Sequence, residues 1–211
     1  MHGFVTARGG FVSRLNDEER SILARLASDV AALIADEDEY TAPPPPSAPG
    51  EGDDDPIAHL DFDPGDAEDE SEYLSLDPAL TRVFPPMSLT DPELAGELRS
   101  LTMEDIRRGK LANLHAVVST LTSSRGQVRV RKHEVPAWLA ALTDMRLVLA
   151  SRLGIEDDDD AERVLDLAVT ATRHPQPVED ADRELELALA SLYSGVTWWQ
   201  ESLLQAVAGR A

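Results

Sequence analysis

Between Asp36 and Asp77 the sequence places sixteen Asp or Glu and not one Lys or Arg, with the run Pro43 to Pro46 inside the same stretch. A segment of high charge, scattered prolines and few aromatics buries too little apolar surface to offset the roughly 1–2 kcal/mol per residue that ordering a backbone costs. Residues 37 to 75 are therefore expected to be a disordered, acidic, Pro-rich linker. Two readings attach to it: a solvated spacer, the simpler one, and an acidic arm that competes for a basic partner surface or masks the protein's own. Phe62, Tyr73 and Leu74 are its only features suited to docking.

The linker also accounts for most of the charge. The whole 211-residue chain holds forty acidic and nineteen basic residues, a formal charge of -21, but outside the stretch from Asp36 to Asp77, 24 acids face 19 bases. A chain this acidic is repelled by phosphates, so direct nucleic-acid binding and a polybasic membrane contact are not expected. With no cysteine, disulfides, thiol nucleophiles, cysteine zinc sites and iron–sulfur clusters are excluded. The longest strongly apolar stretches, such as Ala137 to Leu142, are too short to span a bilayer, and the start lacks the layout of a secretion signal. The expectation is a soluble, cytoplasmic protein with no membrane contact and no cofactor.

Phe4 to Ala7, Gly9-Gly10 and Phe11 to Leu15 read as a hairpin, the two glycines supplying the positive φ of a tight turn. Gln127 to Lys132 alternates valine with arginine, a strand with one buried and one solvated face that can pair with the hairpin. The rest reads helical. Asn16 and Glu19 make a capping box for a helix over Asp17 to Ala35. A short helix spans Asp77 to Val83 and stops at Pro85-Pro86. Thr90 caps the next, with Pro92 in its first turn.

From there to Ser123 the pattern resembles one long helix whose stripe changes phase. Leu94, Leu98 and Leu101 share one face, while Met103, Ile106, Leu114, Val117 and Leu121 centre about 150° away. A break at Leu101-Thr102, with Thr102 as a new cap, is the expected solution. A further helix begins near Glu134, carries Trp138, Leu142, Met145 and Leu149 on one face, and ends at Gly154. Asp157 to Asp160 suit the start of the next, through Thr172. After the Pro175 and Pro177 loop, Leu185, Leu189, Leu192, Val196, Trp199 and Leu203 form a heptad seam. The architecture is thus one mainly α domain over residues 1–211, with a small two- or three-stranded β element and the disordered acidic insertion.

Few residues ask for chemistry. His2, His59, His115, His133 and His174 lack metal-ligand spacing, Asp157 to Asp160 lack the alternation and glycine of a calcium loop, and Gly9-Gly10 opens no P-loop. Lys110 and Arg146 each fall within an apolar helix face, so each must snorkel or meet a carboxylate such as Glu19, Glu97, Glu104 or Asp144. The expected outcome is a structural charge network of Lys110, Asp144, Arg146 and Arg152, with Arg146 largely buried against a carboxylate. The rival is a small-ligand-binding or hydrolase pocket built around Lys110 and Arg146.

Arg125, Arg129, Arg131, Lys132 and His133 form the densest basic patch, suited to an acidic protein surface or phosphates. Trp198 lies about 100° round its helix from the Trp199 seam, so it either packs on a second helix, the expectation, or stands exposed as an interface anchor.

The run Trp138-Leu139-Ala140-Ala141-Leu142-Thr143-Asp144-Met145-Arg146-Leu147, continuing to Ser151-Arg152-Leu153-Gly154, resembles the "WLxALNDLRLxLGTRL" stretch of an actinobacterial family of small helical proteins of unknown function, which includes the AosR oxidative-stress transcriptional regulators. Supporting matches are Asp77-Pro78-Ala79-Leu80 with Arg82 and Pro85, Glu97-Leu98-Arg99 with Lys110 and Asn113, and Tyr193 with Trp198 and Gln200. The resemblance implies a regulator that binds an extracytoplasmic-function sigma factor and RNA polymerase to raise expression of cysteine-biosynthesis genes. In AosR it implies dependence on a thiol pair, which this chain lacks. It also implies a neighbouring gene for the Clp adaptor ClpS, hence a competing association with regulated proteolysis. The expectation is a non-enzymatic transcriptional regulator that binds its protein partner without a cysteine redox switch.

Overall fold

The computed structural model describes residues 1–35, 77–85, 92–173 and 180–209, with 92–100 as backbone only. Strands β1 (Val5–Ala7) and β2 (Gly10–Arg14) are followed by helices α1 (Asp17–Ala35), α2 (Pro78–Val83) and α3 (Pro92–Ser123). Then come β3 (Gln127–Arg131), a 3-10 turn (Lys132–Glu134), α4 (Val135–Arg152), α5 (Asp158–Arg173) and α6 (Ala181–Val207). The chain is mainly helical with one small antiparallel sheet, in the order β1-β2-β3. The expected linker at 37–75, the Thr90 cap and the Pro175 and Pro177 loop lie outside the described residues.

Local chemistry explains several of the helix ends. Asn16 Oδ1 accepts from the Glu19 N–H at 2.7 Å while Glu19 Oε2 accepts from the Asn16 N–H at 2.9 Å, so the capping box at α1 closes as its spacing requires. Asp77 caps α2 by accepting from the Ala79 N–H at 2.9 Å. At the head of α5, Asp157 Oδ1 accepts from the Asp160 N–H and Asp160 Oδ2 from the Glu156 N–H. Gly154 ends α4 with φ 64°, and the Ile155 N–H reaches back to the Ala150 carbonyl at 2.9 Å.

The hairpin differs from expectation in the role of its two glycines. Only Gly9 takes a positive φ, 86°. Gly10 is the first residue of β2, and a Cβ there would stand 2.1 Å from the Val130 carbonyl oxygen. It is glycine because the β3 backbone passes too close for any side chain.

Helix α3 corrects the expected break. It runs without interruption through Leu101 and Thr102. A break would be needed if Leu101 had to be buried together with the second stripe, and it is not: Leu101 is left 78% exposed while Leu114, Val117 and Leu121 are fully buried. Keeping the backbone hydrogen bonds of a continuous helix outweighs one leucine in water.

Helix α4 is the centre of the bundle. Trp138, Ala141, Leu142, Met145 and Leu149 are buried, and so are Val148 and Ala150 on its other sides. Helices α1, α3 and α6 pack around it, and α2 packs on it too, with Arg82 Nη1 donating to the Ile155 carbonyl at 2.5 Å. The seam on α6 engages only in part. Val196, Trp199 and Leu203 are buried, Leu189 and Leu192 half-buried, and Leu185 is 59% exposed. The early turns of α6 meet α5 through Ala190, which joins Val164, Ala168, Ala150 and Ile155 in a second small core, so the leucine beyond it faces water.

The sheet's inner face completes the main core. Phe4 stacks on Trp199 with centroids 4.9 Å apart, and Trp138 meets Trp199 edge to face at 5.6 Å. Trp199 Nε1 donates at 2.9 Å to Ser13 Oγ, which itself donates to the His2 carbonyl at 2.6 Å. Burying an indole thus leaves no orphan donor.

Candidate functional site

Strand pairing decides which side chains share a face. Val12 sits opposite Arg129, Gly10 opposite Arg131, and Arg14 opposite Gln127, while Val5 of β1 lies opposite Val12. Cross-strand partners point the same way. The solvent face therefore carries Arg14, Arg129 and Arg131, with Val5 and Val12 between and beside them. Phe11, Ser13, Val128 and Val130 point into the core and are buried. Arg125 precedes β3, while Lys132 and His133 follow it, beside Arg8 in the hairpin turn; all four are exposed. The structure sets the five residues of the expected patch along β3 and beyond its two ends, and adds Arg8 and Arg14 from the hairpin.

These cations have few partners. Arg131 and His133 share Glu134, at 3.7 and 3.9 Å, and Arg129 donates to the Arg8 carbonyl at 3.2 Å. Among the described residues no carboxylate pairs with Arg8, Arg14, Arg125, Arg129 or Lys132. The helices behave differently. Arg20, Arg25, Arg107, Arg108, Arg163 and Arg183 each meet an acid three or four residues away.

The expected charge network separates into three unconnected contacts. Lys110 Nζ meets Asp144 Oδ1 at 2.6 Å and lies 5.6 Å from the centre of the Phe84 ring. Asp144 is only 2% exposed, and burial raises its carboxyl above the ordinary value while the Lys110 ammonium pulls it back. Arg152 pairs with Asp77. Burial alone would raise the Asp77 carboxyl, but the Arg152 guanidinium and the Ala79 N–H outweigh it and hold it below 3.8.

Arg146 is a correction. It is half-buried, and among the described residues it meets an amide, not a carboxylate: Nη1 donates to Gln200 Oε1 at 2.8 Å, with the Tyr193 ring 5.9 Å away. Gln200 is itself anchored by donating to Thr143 Oγ1 at 2.8 Å and to the Leu139 carbonyl. A neutral partner suffices because the side chain is only half-buried and spreads its charge over an aromatic face, although Nε itself is buried without a partner among the described residues. No sequence spacing links α4 to an amide fifty-four residues away.

Trp198 is 49% exposed, so the expected second buried contact is only half made. Its ring lies 3.5 Å from where a Cβ on Gly3 would stand, and it lines a cavity of about 700 Å³ between α5 and α6 with Met1, Ala168, Val169, Thr172 and Ser191. Neither this cavity nor a smaller one near Leu153 and Leu167 is lined by Lys110 or Arg146. Among the described residues no three His, Asp or Glu cluster for a metal ion, and no helix is long and apolar enough to cross a membrane.

A family model for a domain of unknown function (DUF2017) matches residues 1–207. The chain belongs to this family. No curated protein and no solved structure matches it.

Proposed function

We propose that this DUF2017 protein is a non-enzymatic interaction module of transcriptional control, engaging a sigma factor and RNA polymerase without a thiol switch. The observation that carries an interaction role is the outer sheet face, where, among the described residues, the exposed Arg14 and Arg129 meet no carboxylate and Arg131 meets only Glu134, in a chain of net charge -21. Cations left free at a surface steer and select an acidic protein partner. Trp198 offers an aromatic anchor on a separate flank. The partner's identity rests on the resemblance of the Trp138 to Gly154 stretch to the AosR regulators.

The rival ligand pocket around Lys110 and Arg146 is disfavoured by geometry. Lys110 already holds Asp144 and Arg146 already holds Gln200, leaving neither aimed into an open site. The test is co-purification of the tagged protein with RNA polymerase and with each sigma factor, with and without peroxide. Association is expected under both conditions, weakened by Arg129→Glu with Arg131→Glu. No association under either condition refutes the reading, and association only after peroxide refutes the switch-free part of it.

A further inference from the structure

We propose that the outer face of the sheet is the docking site of the chain's own acidic segment, residues 37 to 75. The surface and the segment are complementary in charge. Around β2 and β3 lie Arg8, Arg14, Arg125, Arg129, Arg131, Lys132 and His133, all exposed, with Glu134 the one carboxylate meeting any of them among the described residues. The segment holds most of the sixteen acids between Asp36 and Asp77 and no base to pair them. Each therefore supplies what the other lacks. Val12 and, beside it, Val5 add apolar area next to the guanidiniums, which suits apolar side chains of the segment such as Phe62, Tyr73 and Leu74.

The reach is adequate. Helix α1 leaves the sheet at Asn16 and, at 1.5 Å per residue, ends no more than about 28 Å away. Asp77, where the described chain resumes, pairs with Arg152 at the end of α4, whose first residue follows the β3 turn, so the length of α4, about 27 Å, sets the scale of its distance from the sheet. The intervening residues 36 to 76 span up to about 135 Å when extended, more than twice the path out and back. Tethering also raises the local concentration of acids at the face to about the millimolar range, so many weak charge contacts suffice. The proposal is independent of which protein is the external partner. It implies that any acidic partner of this face competes with residues 37 to 75.

The absence of cysteine makes the test direct. Ala58→Cys in the full chain takes a single nitroxide label, and amide spectra are recorded at low salt. Resonances of residues 8–14 and 127–132 are expected to lose most of their intensity while those of α5 do not. The loss should be reversed in about 1 M NaCl, where the screening length falls to about 3 Å, and in Arg129→Glu with Arg131→Glu at low salt. Both substitutions lie on the solvent face, so an unchanged melting curve verifies the fold. Uniform broadening, no broadening, or broadening that survives charge reversal overturns the proposal. So does equal broadening of enriched chains that carry no label when they are mixed with labelled chains of natural isotope abundance, which would make the occupant a second copy.

Discussion

The two faces of one three-stranded sheet are the molecule's extremes. The inner face sets Phe11, Ser13, Val128 and Val130 against Phe4, Trp138 and Trp199, all buried, with the single hydroxyl bonded on both sides. One residue along each strand, the outer face sets Arg14, Arg129 and Arg131 around Val12, with little to hold them. A period of two lets five residues of β3 serve both purposes, because neither face constrains the identity of the other. Effects should divide accordingly. Changes on the inner face should register in stability, and changes on the outer face in binding.

The sharpest test of the inner face is Trp199→Ala. It removes the ring shared by Phe4 and Trp138 and should cost about 3–5 kcal/mol in urea unfolding, whereas Trp198→Ala, one position along and half exposed, should cost about 1 kcal/mol or less. Equal losses would erase the distinction between the seam and its flank. Ser13→Ala comes next. It leaves the Trp199 N–H buried without an acceptor, a loss of about 1–3 kcal/mol, and a value near zero would mean that water replaces the hydroxyl.

A smaller effect is expected at the far end of α4, where pairing and not packing is at stake. Asp77→Asn keeps an acceptor for the α2 cap but removes the charge that faces Arg152. Because the folded carboxyl lies below its ordinary 3.8, its contribution is present above that pH and disappears as pH falls through the folded value. The pair is partly exposed, so parent and variant should differ by less than about 1 kcal/mol at neutral pH. Melting curves should converge as the pH is lowered, and a gap that widens in acid would reverse the sign. The smallest stability effect belongs to the outer face: Arg129→Glu should change unfolding by no more than about 0.5 kcal/mol while weakening capture of an acidic partner. A large loss of stability there would make the guanidinium structural and break the comparison.

Local signals were the legible ones. The α1 bounds follow from Asn16 and Glu19, three residues apart, and the end of α4 from Gly154, because a cap needs nothing beyond its own turn. The alternation of Val128 and Val130 with Arg129 and Arg131 likewise announced both faces of β3. Arg8 and Arg14 were missed because only the pairing of β2 with β3 puts them on the same side. Gln200 was missed as the partner of Arg146 because polar contacts between helices depend on packing angle, which no periodicity encodes. Leu101 misled because a leucine in a helix need not reach the core, and the hydrogen-bonded backbone was the stronger constraint.

Helix α6 lies along β1: the Phe4 N–H donates to Ser202 Oγ at 3.0 Å, and Thr6 Oγ1 donates to the Ala206 carbonyl at 3.4 Å, contacts that join residues 198 and 200 positions apart. During synthesis the first strand thus leaves the ribosome long before the helix that covers its edge exists, a delay of roughly 10–40 s at ordinary elongation rates. For that interval Phe4 and Trp138 have no Trp199 to close on, and the edge of β1 is open to any other strand. A ribosome stalled after α4 has emerged but before α6 would therefore hold a bundle whose central aromatic cluster is still missing one ring.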